Sequence, residues 1–163
     1  MVDYKKLAEI YEETIELLKK MLPLLKGLLG EYAETFESTD NPDEAMKDPD
    51  MYEKIANNPN AAKYIKELGE IKEELKKLEK EYKEISGEPM DPVVNVFLMH
   101  LDIIVKYYEA KAAGKKFSWN NNAEFDAFME NPKEFGQSIA ISYFLLKHAI
   151  EDLEKLIPKL KEK

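Results

Sequence analysis

Residues 61–85 read AAKYIKELGEIKEELKKLEKEYKEI, and their spacing decides the fold class. The apolar residues step by three and four positions, at Ala61, Tyr64, Leu68, Ile71, Leu75, Leu78, Tyr82 and Ile85. Lys and Glu fill most of the other positions. This period predicts one long helix that contacts its neighbours along a narrow seam and exposes most of its surface. The seam could face the rest of this chain or a second copy.

The first and last parts of the chain show the same kind of period. Residues 3–37 carry apolar side chains at helical spacing and are predicted to form one long amphipathic helix. Pro23 lies within it and is predicted to kink or break the helix just before that residue. Another helix is predicted over about 132–161, where Pro158 should bend or fray the final turn.

Five of the eight prolines follow Asn or Asp, a pairing that marks helix starts. The pairs are Asn41-Pro42, Asp48-Pro49, Asn58-Pro59, Asp91-Pro92 and Asn131-Pro132. In each pair we expect the polar side chain to cap the helix and the proline to occupy its first position. These caps predict short helices near 42–47 and 49–56, and a further one near 122–130.

The fold class is therefore predicted to be all-α, with residues 1–163 in a single domain. We expect four main helices in a bundle, with the short helices in two long connections, 38–58 and 112–131. The middle connection is short, so the second and third main helices should be antiparallel neighbours. The connection lengths allow an up-down-up-down order or the up-up-down-down order of cytokine-type bundles.

Composition excludes several classes of function. The chain has 24 basic residues, all Lys, against 33 acidic ones, a net charge of −9 that disfavours nucleic-acid binding. The lack of Cys excludes disulfides, thiolate catalysis and Cys-ligated metal centres. The apolar runs are far shorter than the ~20 residues that span a membrane, and the N-terminus has no apolar signal region. We therefore expect a soluble, cytoplasmic protein.

One histidine is a candidate for ligand binding. The helix predicted from 92 to 111 has only a narrow polar line, so it should be the most buried element. His100 falls on its apolar face, either as a neutral imidazole hydrogen-bonded within the core or as a haem ligand or polar anchor of a cavity. Ser138 and Ser142 occupy core-facing positions of the last helix. They either satisfy His100 or leave room for a ligand, so these three residues are the predicted cofactor-binding set.

The other polar clusters do not predict catalysis or metal binding. His148 and Glu151 form a single reversed pair near the surface, which is too little for a metal site. The Glu clusters lie on exposed faces beside Lys, where they support helix formation and solubility. No nucleophile has a suitable base and acidic partner, so we predict no catalytic residue.

The second long connection concentrates aromatic residues, including the only tryptophan, Trp119. Its aromatics either pin the connection onto the helices or form a lid or partner-binding surface. Acrylamide quenching of Trp119 fluorescence would distinguish a buried pin from an exposed binding residue.

The surface composition resembles that of computationally designed or redesigned helical bundles. Lys and Glu fill nearly every exposed helical position, and Asn/Asp-Pro caps recur at helix starts. This resemblance implies a non-catalytic, soluble helical scaffold or binding protein. The alternatives are a small-molecule or haem-binding bundle that uses His100, and a cytokine-type bundle that binds a protein partner.

Overall fold

The computed structural model describes residues 1–39, 41–45 and 48–163, which form helices and no strand. The helices are α1 (Tyr4–Leu29), α2 (Ala33–Glu37), α3 (Pro42–Ala45), α4 (Met51–Ala56), α5 (Ala61–Ser86), α6 (Pro92–Ala112), α7 (Ala123–Met129) and α8 (Pro132–Lys161). A 3-10 turn at Gly30–Tyr32 links α1 to α2. The predicted all-α class is confirmed. Within these described ranges, every helix is too short or too polar to cross a membrane.

Helix α1 differs from its prediction at Pro23 and at its C-terminal end. It begins after Asp3, whose side chain accepts from the Lys6 backbone N–H, and it continues unbroken through Pro23. It ends instead at Gly30, which has φ +61°. The positive φ of Gly30, which residues with a side chain rarely adopt, takes the backbone out of the α-helix, whereas one missing proline donor can be tolerated. Pro158 likewise lies within α8.

The predicted caps divide into two groups. Asp91 and Asn131 cap α6 and α8 with proline at the first helical position, as expected, and accept from the backbone N–H two residues on. The side chains of Asp48 and Asn58 instead accept hydrogen bonds from the backbone N–H groups of Asp50 and Asn60, within turns. Helices α4 and α5 therefore begin two residues later than predicted. The predicted helix near 42–47 is described as α3, and residues 46–47 lie outside the described part.

The four long helices α1, α5, α6 and α8 pack antiparallel to the neighbours they contact. The pairs that show this are Tyr11–Tyr82 and Gly27–Tyr64 for α1 and α5, Lys72–Asp102 and Gly69–Val105 for α5 and α6, Asp91–Asp152 and Tyr107–Phe135 for α6 and α8, and Glu12–Lys161 and Lys19–Glu154 for α8 and α1. The expected antiparallel contact across the short middle connection is confirmed. The up-up-down-down alternative does not fit, because it requires α1 and α5 to be parallel.

Two glycines set how closely helices approach. A Cβ on Gly136 of α8 would overlap the backbone carbonyl of Tyr52, so this glycine lets α4 pack directly against α8. A Cβ on Gly27 of α1 would overlap the ring of Tyr64 on α5. The backbone overlap leaves no space for a methyl group at Gly136, whereas at Gly27 the Tyr64 ring would have to move.

Helix α6 is less covered than predicted. Its inner face is buried through Val94, Phe97 and Leu101, but Val96 and Met99 are 40% and 43% exposed. The helix contacts α5 on one side and α8 on the other, which leaves its outer face open. The prediction that α6 is the most buried element is wrong, since 8 of its 21 residues are buried, against 12 of 26 in α1.

Candidate functional site

His100 lies at the edge of α6, half-buried. The prediction of a fully buried core histidine is wrong, because the outer face of α6 is not covered by another helix. Burial lowers the pKa of His100, so the neutral imidazole is favoured. Within the described part of the chain, no hydrogen bond reaches either ring nitrogen.

The two candidate serines do not satisfy His100. Ser142 is fully buried, and its hydroxyl donates to the Ser138 carbonyl at 2.8 Å. The Ser138 hydroxyl donates to the Glu134 carbonyl at 3.0 Å and lies 3.8 Å from the sulfur of Met129. Both therefore bond one turn back within α8. The expectation that they hydrogen-bond His100 is wrong, and their use as a cofactor-binding set with His100 stays a prediction.

The strongest polar centre lies instead around Asp102, on α6. Lys72 and Lys76 of α5 lie 3.1 and 3.4 Å from its Oδ1, and Lys106 lies 3.1 Å from its Oδ2. The indole N–H of Trp119 also donates to Oδ2, at 3.2 Å. Burial alone would raise the pKa of Asp102, but these donors overcome that effect and hold the pKa well below its usual range.

Lys72 is the unexpected member of this centre. It occupies a buried position of the α5 seam between Leu68 and Leu75, and its side chain is only 7% exposed. The apolar spacing placed Ile71 in the seam, whereas the structure leaves Ile71 half-buried and turns Lys72 inward. Helical spacing could not reveal this, because the ammonium is stabilised by Asp102, a residue 30 positions away.

The second connection is pinned to the helices by its aromatic residues. Phe117 is buried against Tyr107 of α6, with ring centroids 5.4 Å apart, and Trp119 packs against Phe125 at 5.7 Å. Asp126, itself buried, accepts from the Trp119 backbone N–H at 2.9 Å. These contacts favour the pinned loop over the mobile lid. Only Phe128 of this segment's four aromatics remains largely exposed, at 53%.

A second polar cluster lies where α1, α6 and α8 meet. The Asp91 backbone N–H donates to the hydroxyl of Tyr11 at 3.2 Å, and Tyr11 stacks on Tyr82. Burial raises the pKa of Tyr11 far above its usual range. Burial and the nearby carboxylate of Asp152 raise the pKa of Asp91. A carboxyl group with a raised pKa could serve acid–base chemistry, but this one is occupied as the cap of α6.

An open groove lies between α5 and α6. The groove has a volume of about 520 Å³, with an apolar floor and charged edges. The uncharged residues that line it are Ala62, Ile65, Gly69, Val105, Tyr108 and Ala112. Sequence reasoning missed this groove, although Gly69 was a signal for it, since an isolated glycine inside a helical pattern usually has a packing or functional reason.

The remaining candidate was the pair of His148 and Glu151. His148 is exposed, and its Nδ1 lies 3.9 Å from Glu151 Oε2. In the described ranges, no group of three or more His, Cys, Asp or Glu side chains is placed to hold a metal ion. No family model, curated protein or solved structure matches this chain, so its function is argued from its own geometry.

Proposed function

We propose that this chain is a non-catalytic scaffold of bundle type, whose four long helices present a surface for binding. The observation that carries the proposal is that the groups of the two polar clusters, around Asp102 and around Asp91, join structural elements. Asp102 joins α5, α6 and the second connection. Asp91 caps α6, and Tyr11 accepts from the Asp91 backbone. Groups committed in this way are not available as acid, base or nucleophile.

The test of the non-catalytic proposal is hydrolysis of an activated ester, p-nitrophenyl acetate. The two histidines are the nucleophiles that this assay would detect. We expect the native chain and the His100→Ala/His148→Ala double variant to differ by no more than simple imidazole reactivity. A native rate about a hundredfold above that of the double variant would overturn the proposal, because positioned acid–base catalysis contributes at least that much.

We further propose a designed or redesigned origin. Support comes from the basic residues, all of which are Lys. It also comes from the caps at Asp91 and Asn131, each with proline at the first helical position. Idealised helical sequences are typically hyperstable, so the thermal midpoint is expected above about 90 °C. A midpoint in the mesophilic range of about 45–65 °C would count against this origin.

A second candidate function is haem or small-molecule binding at His100. The observation that favours it is a half-buried, neutral imidazole beside the exposed apolar residues Val96 and Met99. Neutral imidazole is the form that ligates haem iron. Haemin titration is expected to shift the Soret band in the native chain and in His148→Ala, but not in His100→Ala. The absence of a shift, or an equal shift in His100→Ala, would remove this candidate.

A further inference from the structure

Gly69 is the one glycine whose identity the fold does not explain. Of the six glycines, Gly27 and Gly136 permit close helix contacts, and Gly30, Gly87 and Gly114 have positive φ. A Cβ on Gly69 would lie 3.5 Å from Val105 Cγ1, an ordinary van der Waals distance. Glycine inside a helix costs about 1 kcal/mol relative to alanine. A residue that breaks a local rule without a structural gain points to a function.

Gly69 lines the α5–α6 groove. The groove follows α5 from Ala62 to Glu73, which at 1.5 Å per residue is roughly 17 Å, or three helical turns. The missing side chain at Gly69 lets the backbone of another helix approach closely there. Because the groove runs between α5 and α6 and is open to solvent, its shape fits a helix laid along it better than an enclosed ligand.

The edges of the groove are acidic. Glu70, Glu73 and Glu109 line it, whereas the ammonium group of Lys72 is held by Asp102. Lys66 is the remaining cation of the lining. A second copy of this chain carries a net charge of −9 and would be repelled, while a basic helix would be attracted.

We propose that the α5–α6 groove binds a basic amphipathic helix of a partner protein, with its apolar face over Gly69 and its Lys or Arg residues beside Glu70 and Glu109. This rests on the proposed function, that the chain is a binding scaffold. The apolar floor supplies the area buried on binding, and the acidic edges select the charge and orientation of the helix.

The test uses a fluorescein-labelled peptide of about 18 residues in which Leu occupies one helical face and Lys the other. Binding is measured by fluorescence anisotropy at physiological salt. Gly69→Leu fills the floor and is expected to weaken binding at least about tenfold. Ala127→Leu places the same side chain at an exposed position of α7, outside the groove and without a change of charge, and its affinity should stay within about twofold of the native value.

Charge variants test the same site without changing the floor. Glu109→Lys is expected to weaken binding several-fold more than Glu84→Lys, an equal change of charge on α5 outside the groove. Circular dichroism confirms that each variant is folded. A lack of binding by the native chain would overturn the proposal. So would equal binding by Gly69→Leu and Ala127→Leu, or equal binding of a peptide with Glu in place of Lys. None of these results alters the ester assay, which tests the proposed function separately.

Discussion

The indole Nε1–H of Trp119 donates to Oδ2 of Asp102 across 3.2 Å, and this bond ties the second connection to α6. The same carboxylate forms ion pairs with the ammonium groups of Lys72 on α5 and Lys106 on α6. One acidic side chain therefore joins three segments that are far apart in sequence. Because Asp102 is only 14% exposed, water replaces these partners poorly when one of them is lost.

Asp102→Asn should be strongly destabilising. The amide keeps the shape of the carboxylate but leaves the buried Lys72 ammonium without its counter-charge, which is expected to cost about 3 kcal/mol of unfolding free energy. Guanidinium unfolding measures this, and acrylamide quenching of Trp119 should increase. The matched control is Glu73→Gln, since Glu73 is 66% exposed and lies 3.8 Å from the same ammonium, so its loss should cost less than about 1 kcal/mol. Equal losses in both variants would contradict the assignment.

Acid should remove the advantage that Asp102 confers. Although burial opposes it, the surrounding donors depress the folded-state pKa of Asp102. A depressed carboxyl pKa contributes stability that is present above the unfolded pKa and is lost as the pH falls through the folded value. The difference in unfolding free energy between the native chain and Asp102→Asn should be constant from about pH 7 to 5 and narrow below about pH 4. A difference that stays constant down to pH 2 would contradict this.

Asp152→Asn should raise the unfolding free energy, whereas Asp102→Asn lowers it. Burial and the Asp152 carboxylate raise the pKa of Asp91, so ionisation of Asp91 opposes folding once the pH exceeds its unfolded pKa. Removing the neighbouring charge is expected to stabilise the protein by about 0.5–1 kcal/mol at pH 7 and to have less effect near pH 3, where the raised pKa of Asp91 leaves that group protonated. Urea unfolding of this variant beside Glu67→Gln, an exposed control on α5, checks the effect. Destabilisation at pH 7 would show that the two carboxyl groups are not in repulsive contact.

Gly136→Ala should be among the most damaging single-methyl changes. The new Cβ would overlap the Tyr52 carbonyl oxygen, which is backbone and cannot rotate away. We expect a loss of about 3 kcal/mol or more, because α4 has to move off α8. Urea unfolding and far-ultraviolet circular dichroism measure the loss. A variant as stable as the native chain would mean that α4 does not pack against α8 at this distance.

The parts of the structure that local spacing determines were predictable, and those that depend on distant partners were not. Helix α8 and the caps at Asp91 and Asn131 follow from signals within a few residues. The break expected near Pro23 is wrong, because α1 tolerates one missing donor there.

The candidate site was less predictable. Helical phase placed His100 on the apolar face, but whether that face is covered depends on the neighbouring helices. The spacing of α5 put its Lys residues outside the apolar seam, but Lys72 is buried. The carboxylate that stabilises its ammonium group lies on another helix, so spacing along α5 could not show this. The sequence left the role of Trp119 open between a pin and a binding surface, and its hydrogen bonds to Asp102 and Asp126 favour the pin.

Gly69→Ala tests whether the stability of the fold requires glycine at this position of the α5–α6 groove. Alanine should raise the unfolding free energy by roughly 0.5–1 kcal/mol, seen as a higher denaturant midpoint with an unchanged slope, because its methyl group fits beside Val105 and glycine is the poorer helix former. The same substitution at Gly136, in α8, should lower it. If Gly69→Ala instead destabilises the protein, Gly69 serves packing, and the reason for assigning the α5–α6 groove to binding is lost.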